Sequence, residues 1–105
     1  MIRVVFPEHD GVPVGFELRG HAGAGQEGND IVCAAVSSAA YMAANTITDV
    51  LMIRAEIELD EGYLKVTVPE DQRECSAVVL QGFRLHLTQL TEQYPENIHI
   101  RFAEV

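Results

Sequence analysis

The sequence predicts an α+β domain in which two helices pack on a largely antiparallel sheet, in the order ββαββαβ. Two pairs of short alternating apolar runs, each pair joined by a turn, indicate two β-hairpins. Two longer segments with apolar residues at three- and four-residue steps indicate two helices. The 105 residues suit one compact unit, so we assign 1–105 to a single domain.

The first hairpin is predicted around Asp10-Gly11, a turn signal. Apolar residues alternate through 2–6 before the turn, and Val14, Phe16 and Leu18 alternate with polar or small residues after it. The second hairpin is predicted around the turn 60–62. Before the turn, one face of the strand is formed by Ile53, Ala55, Ile57 and Leu59, and after it Leu64, Val66 and Val68 alternate with polar residues.

The first helix is expected to follow a glycine-rich loop over 20–30, with Asp30 as its N-cap. Its apolar stripe is Val36, Ala40, Ala43, Ile47 and Val50. The stretch 31–53 is about long enough to span a bilayer. It carries serine, threonine, asparagine and aspartate side chains, which favour a buried amphipathic helix over a membrane span.

The second helix is expected to begin at a capping box formed by Asp71 and Glu74 and to end at Pro95. Its apolar stripe is Cys75, Val79, Phe83, Leu87, Leu90 and Tyr94, which makes Cys75 a core residue. Alternation at Ile98, Ile100 and Phe102 predicts a last strand.

The balance of charge restricts the class of partner. Seven Lys and Arg against sixteen Asp and Glu give a formal net charge of −9, which disfavours direct nucleic-acid binding and favours a basic protein or peptide. Two cysteines are too few for a disulfide scaffold, and the first residues are no signal peptide. We therefore expect reduced thiols, a cytoplasmic location and no membrane partner.

Cys33 is the candidate nucleophile. If Asp30 caps the helix, Cys33 lies in the first turn, where the positive end of the helix dipole favours a thiolate. The unpaired N–H groups of that turn would stabilise an oxyanion. The alternative is that Cys33 is a small apolar residue packed among alanines.

His21 favours the catalytic interpretation, because it opens the same glycine-rich loop, twelve residues before Cys33. A Cys–His pair is the minimal arrangement that activates a thiol, and histidine can donate a proton to a leaving amine. The alternative interpretation is that His21 is a loop histidine exposed to solvent.

Two further residues are candidate supporting residues. Asp30 either caps the helix or orients His21, as carboxylates do in catalytic triads. Ser37 lies one turn after Cys33 on the same helix face and would hydrogen-bond within the site or to substrate, or simply to a preceding carbonyl.

Competing motifs are weaker. The segment 23–28 matches G-x-G-x-x-G, but it follows a predicted hairpin strand rather than opening a parallel βαβ unit, so we reject dinucleotide binding. The histidines and cysteines have no metal-ligand spacing, so no metal site is predicted.

The segments 20–22 and 30–37 (Gly-His-Ala and Asp-Ile-Val-Cys-Ala-Ala-Val-Ser), with the glycine-rich loop between them, resemble the signature of Prp, the bacterial ribosomal-processing cysteine protease family. The closing segment with Glu92, Tyr94 and 96–98 fits the same family, and the resemblance covers essentially the whole chain. The loop composition over 24–27 departs from the family pattern.

The resemblance implies that Cys33 is the nucleophile and His21 its partner, with Asp30 and Ser37 at family site positions. It implies a substrate loop containing Gly23, Gly25 and Gly28 that moves over the site. It also implies a homodimer, no cofactor, and a substrate that is a large-subunit ribosomal protein made with a short N-terminal extension. Cleavage would follow an aromatic, apolar segment.

Two other functions stay open from the sequence. One is a non-catalytic assembly factor that only binds the ribosomal protein. The other is a small thiol hydrolase of esters or thioesters. The combination of His21, Asp30, Cys33 and Ser37 favours the protease over both.

Overall fold

The computed structural model describes residues 1–20 and 27–105, with side chains described over 1–20 and 31–105. The strands and helices follow in the order β1 Ile2–His9, β2 Val12–Pro13, β3 Gly15–Arg19, α1 Glu27–Asn45, β4 Glu56–Asp60, β5 Tyr63–Thr67, α2 Arg73–Gln93 and β6 Ile98–Glu104. The predicted α+β class and element order are confirmed, with β2 as a short addition beside the end of β1.

The sheet is built around β1, which pairs antiparallel with β3 and parallel with β6. Beyond β3 the sheet continues antiparallel through β5 to β4. The sheet is thus largely antiparallel, as predicted, with one parallel pair. Within the described residues, β4 and β6 form its two edges.

Both predicted hairpin turns are present. Asp10 and Gly11 have φ of 53° and 78°, the left-handed pair that a two-residue turn between twisted strands requires. In the second hairpin Asp60 pairs with Tyr63 across two turn residues, and Gly62 has φ of 66°. Glycine tolerates this backbone without the steric cost of a side chain.

Both helices cover the same face of the sheet. The buried strand residues alternate along each strand, so they share one face, and they form one core with residues of α1 and α2. The core is joined by aromatic contacts, since the ring of Phe83 on α2 lies 5.7 Å from Phe6 and 4.7 Å from Phe16. The opposite face of the sheet carries Arg3, Glu17, Arg19, Lys65 and Arg101.

The start of α1 differs from the prediction. The helix begins at Glu27, so Asp30 is its fourth residue rather than its N-cap, and Gly28 belongs to the helix rather than to the loop. A glycine inside a helix costs only about 1 kcal/mol relative to alanine, and acidic residues suit the first turn. Continued helical hydrogen bonding therefore outweighs the glycine penalty at this end.

The body of α1 matches the predicted stripe at Val36, Ala40 and Ala43, which are buried. The helix continues into a π-helical segment, Thr46–Val50, in which Ile47 is buried but Val50 is 72% exposed. The change of helical period turns the last predicted stripe residue out of the core. The segment Ile31–Val50 is long and apolar enough to cross a membrane by length and composition, and here one side of it packs into the core.

The start of α2 is also different. A 3₁₀ turn occupies Glu70–Gln72, closed by the N–H of Gln72 on the carbonyl of Pro69 at 2.9 Å. Because Asp71 lies within this turn, the predicted capping box does not form, and the cap residue Gln72 makes no side-chain bond to the helix.

The buried stripe of α2 is Ser76, Leu80, Phe83 and Leu87, rotated from the predicted one at its N-terminal end. Cys75 is exposed, so its assignment to the core is wrong. Counting back from Phe83 in steps of three and four residues leads either to Leu80 and Ser76 or to Val79 and Cys75. The spacing alone does not show which of the two pairs is buried.

The second hairpin is buried on β5 but exposed on β4. The strand β4 begins at Glu56, and all five of its residues are exposed, including Ile57 at 42% and Leu59 at 61%. On β5, Leu64 and Val66 are buried as expected. The helices therefore cover the sheet as far as β5 and leave the apolar side of β4 open.

Candidate active site

Cys33 lies on α1 as its seventh residue. The predicted position in the first turn is therefore wrong, because the N–H groups left unpaired at a helix start belong to its first four residues. The side chain is partly buried and packs against the core, and neither cysteine of the chain is in a disulfide. The thiol is thus fixed by core packing on a rigid helix rather than placed at a helix end.

The thiol lies in the wall of a cavity of about 150 Å³ between α1 and the β4–β5 hairpin. Ser37 and Tyr41 extend the α1 wall by one and two turns, and Leu59, Asp60 and Tyr63 form the opposite wall. The rest of the lining is Ile2, Leu18, Gly20, Val36, Ala40, Gly62 and Leu64. Apolar side chains therefore make up most of the lining residues, while polar groups, the thiol among them, contribute much of the lining surface.

Gly20 lines the cavity at the end of β3. Its φ is +93°, and a Cβ at this position would lie 2.7 Å from the carbonyl oxygen of Met1. Its N–H donates to the carbonyl of Gly62 at 2.8 Å, which joins the end of β3 to the β4–β5 turn. Gly20 directly precedes His21, the predicted base, in the sequence.

The ring of Tyr63 contacts its neighbours on β3, on the sheet face opposite the helices. The guanidinium of Arg19 lies 4.6 Å from the centre of the Tyr63 ring, and the Tyr63 hydroxyl donates to Oε2 of Glu17 at 3.5 Å. An Arg19–Glu17 ion pair at 3.5 Å completes the cluster. These contacts tie the start of β5 to β3, next to the part of the hairpin that lines the cavity.

The structure brings Cys33 and Ser37 to one cavity, as predicted from their spacing. His21, Gly23 and Gly25 lie outside the described residues. The backbone of Asp30 lies in the first turn of α1, and its side chain is outside the described part. The pairing of His21 with Cys33 and the role of Asp30 remain predictions.

Sequence reasoning missed Tyr41, Leu59, Asp60 and Tyr63 as site residues. Tyr41 could have been found, because it lies eight residues after Cys33, about two helical turns, on the same face. The other three come from a hairpin distant in sequence, and only the sheet pairing places them opposite α1.

A separate group of possible metal ligands lies at the other end of β1. His9, Asp10 and Glu104 have ligand atoms within 4.8 Å of one another, and all three residues are exposed. The sequence spacing did not reveal it, because the parallel pairing of β6 with β1 brings Glu104 to this position. Its groups already bond to one another, since the N–H of Asp10 donates to Oε1 of Glu104 at 3.2 Å.

The comparisons with known proteins identify the family of the chain. The family model described as cysteine protease Prp matches residues 1–99. The ribosomal processing cysteine protease Prp of Staphylococcus aureus is 29% identical over 87 residues, 81% of this chain and 82% of the relative. That of Bacillus subtilis is 26% identical over 98 residues, 88% of each chain.

Solved structures share the fold. A crystal structure of a Streptococcus mutans protein has a TM-score of 0.88 and 31% identity, covering 100% of this chain and 96% of the other. The S. aureus Prp protease has a TM-score of 0.86 and 28% identity, covering 97% and 99% of the two chains. That protease was solved with a substrate peptide and with a covalently linked product peptide. With a family match over nearly its whole length, the chain belongs to the Prp family and is a cysteine protease.

Proposed function

We propose that this protease removes a short N-terminal extension from a large-subunit ribosomal protein precursor, by an acyl-enzyme formed on Cys33 with His21 as general base and acid. The observation that carries the proposal is the placement of Cys33 in a cavity between α1 and the β4–β5 hairpin. Covalent hydrolysis of a peptide bond requires a nucleophile on a rigid element beside a cavity that substrate can reach.

In the first step the Cys33 sulfur attacks the carbonyl carbon of the scissile bond after His21 has taken the thiol proton. A tetrahedral intermediate forms, and its oxyanion is stabilised by hydrogen-bond donors in the site. The C–N bond then breaks, and His21 transfers its proton to the departing amine. The new N-terminus leaves, and the extension stays on Cys33 as a thioester.

In the second step a water molecule gives a proton to His21 and attacks the thioester carbonyl. The C–S bond breaks, the thiol regains its proton from His21, and the extension leaves as a carboxylic acid. Ser37 supports either step by a hydrogen bond to substrate, since it lines the same cavity one turn from Cys33. No step needs a cofactor.

Two properties of the chain support a ribosomal precursor as the substrate. The net charge of −9 favours a basic protein, as ribosomal proteins generally are before assembly. The apolar lining, with Leu18, Leu59 and Leu64, suits the aromatic, apolar segment that the family resemblance places before the cut. Two of the relatives similar to this chain are named ribosomal processing cysteine protease, which supports the proposal.

The test is cleavage of a full-length precursor by the purified protein, followed by intact-mass measurement of both products. We expect wild type to release the extension in one cut, and Cys33→Ala and His21→Ala to release none at a measurable rate. Cys75→Ala is the matched control, because that cysteine is exposed on α2 and absent from the cavity lining. It should cleave at the wild-type rate.

Cleavage by Cys33→Ala at the wild-type rate would refute the assignment. Faster turnover of small thioesters than of the precursor would instead favour the thiol hydrolase. Dimerisation and a cytoplasmic location stay predictions. The proposed substrate loop now comprises Gly23 and Gly25 only, since Gly28 lies in α1.

A further inference from the structure

The outer edge of β4 lies beside the active-site cavity. In the described part of the chain, β4 pairs with β5 on one side and with no strand on the other. Leu59 and Asp60, its last two residues, line the cavity that contains Cys33. An extended peptide paired with this edge would therefore pass directly along the cavity.

The backbone groups that point outward can be assigned from the neighbouring hydrogen bonds. On the β3 side, the carbonyl of Gly62 accepts a hydrogen bond from the N–H of Gly20 at 2.8 Å. On the same side, the N–H of Val68 donates to the carbonyl of Val14 at 3.2 Å. Because bonding direction alternates along an antiparallel strand, Tyr63, Lys65 and Thr67 bond to β4. The backbone groups of their partners Asp60, Glu58 and Glu56 are therefore hydrogen-bonded to β5. The N–H and C=O groups of Ile57 and Leu59 point away from β5, toward the open edge.

The side chains of β4 divide into two chemical rows. Ile57 and Leu59 pair with the buried Val66 and Leu64, so they lie on the helix side of the sheet, where they remain exposed. Glu56, Glu58 and Asp60 lie on the opposite side and are also exposed.

The acidic row is only partly neutralised. The segment 54–61 contains four acidic residues and one cation, Arg54. The one ion pair described for this strand joins Lys65 and Glu58 at 4.0 Å. A strand added here would fit best with apolar side chains toward Ile57 and Leu59 and basic ones toward the carboxylates.

A second copy of this chain is a poor occupant of the edge. Pairing β4 with another β4 would bring carboxylates opposite or diagonal to carboxylates, which is destabilising. Charged residues of this kind protect an edge strand from self-association. They do not disfavour a basic peptide.

We propose that the substrate segment next to the scissile bond binds by adding a strand to β4, hydrogen-bonded to the backbone of Ile57 and Leu59. This inference rests on the proposed function, because the occupant is the precursor that Cys33 cleaves. It also assigns a preference for alternating apolar and basic residues in that segment. Strand addition would align the peptide bond with the thiol through main-chain bonds.

The direct test compares Ile57→Pro with Ile57→Ala. Proline removes the outward N–H, and an edge position tolerates it because that N–H has no partner in the sheet. Alanine keeps the N–H and removes most of the side chain, so it is the matched control. We expect kcat/KM on the precursor to be at least about fivefold lower for proline than for alanine. Alkylation of Cys33 by iodoacetamide should proceed at the same rate in both.

Equal kcat/KM for the two folded variants would overturn the proposal. If Ile57→Pro does not fold, wild type is tested on precursor peptides N-methylated at one backbone amide each. We expect losses at alternate positions, and equal sensitivity at neighbouring positions would contradict strand addition. A wild type that does not cleave the unmodified precursor would instead refute the proposed function.

Discussion

Ser37 and Cys33 share one wall of the cavity, one turn apart on α1. Replacing Ser37 by alanine removes a hydroxyl but leaves the helix and the thiol in place. A single hydrogen bond contributes about 0.5–1.5 kcal/mol, so we expect kcat/KM on the precursor to fall by about two- to tenfold. Thermal unfolding should be unchanged, since Ser37 is exposed. An unaltered kcat/KM would show that the Ser37 hydroxyl makes no hydrogen bond that contributes to cleavage.

Substitutions at Gly20 and Gly82 test whether the backbone requires glycine at each position. At Gly20 the positive φ and the close approach of Met1 oxygen predict that alanine lowers the free energy of unfolding by about 1–3 kcal/mol. At Gly82, inside α2, a Cβ meets nothing within 4 Å, and alanine should raise stability by about 0.5–1 kcal/mol. Denaturant titration measures both. A stable Gly20→Ala would contradict the described end of β3.

At this scale the sequence predicted part of the site. The spacing of Cys33 and Ser37 places them on one face of a helix, because helical periodicity depends only on local sequence. Leu59 and Tyr63 were not predicted, since their proximity to Cys33 follows from pairing across the sheet.

The helices are held to the sheet by a few large side chains. Phe83 on α2 contacts the rings of Phe6 on β1 and Phe16 on β3. Truncating it to alanine should cost about 3–5 kcal/mol, because it leaves a cavity where two strands meet the helix. Val78→Ala, 79% exposed on the same helix, is the control and should change stability by less than about 0.5 kcal/mol. Similar losses in the two variants would contradict the core described for α2.

Element boundaries were predicted less well than element types. The helix α1 begins at Glu27, before the glycine, and the 3₁₀ turn replaces the capping box before α2. In both cases the preference of a capping residue or a glycine competes with continued backbone hydrogen bonding. Each of these preferences is worth only about 1 kcal/mol, so either can be outweighed. The exposed apolar side of β4 was missed for another reason, since alternation reveals which residues share a face but not whether a helix covers that face.

Charge is distributed unevenly over the whole molecule. Four of the seven Lys and Arg residues, Arg3, Arg19, Lys65 and Arg101, lie on the sheet face opposite the helices. The same face carries four carboxylates, those of Glu17, Glu56, Glu58 and Asp60, so the net charge of −9 arises from the remaining surface. A basic precursor would be attracted toward the side that carries the thiol.

This distribution predicts a salt-dependent KM. Raising the salt concentration from about 50 to about 500 mM shortens the screening length well below the molecular diameter. We expect KM for the precursor to rise several-fold while kcat changes little, because attraction acts on encounter rather than on bond cleavage. Steady-state kinetics at the two concentrations measures it, with an uncharged short peptide as control. A KM insensitive to salt would contradict the electrostatic account.

The most direct test of Cys33 as the nucleophile is to trap the acyl-enzyme. Wild type is mixed with precursor, quenched in acid within the first turnover and digested, and the modified peptide is identified by mass spectrometry. We predict a thioester adduct with the mass of the extension minus one water, located on the peptide that contains Cys33 and absent from the one that contains Cys75. Cleavage that proceeds in Cys33→Ala, or an adduct on any other residue, would contradict the account.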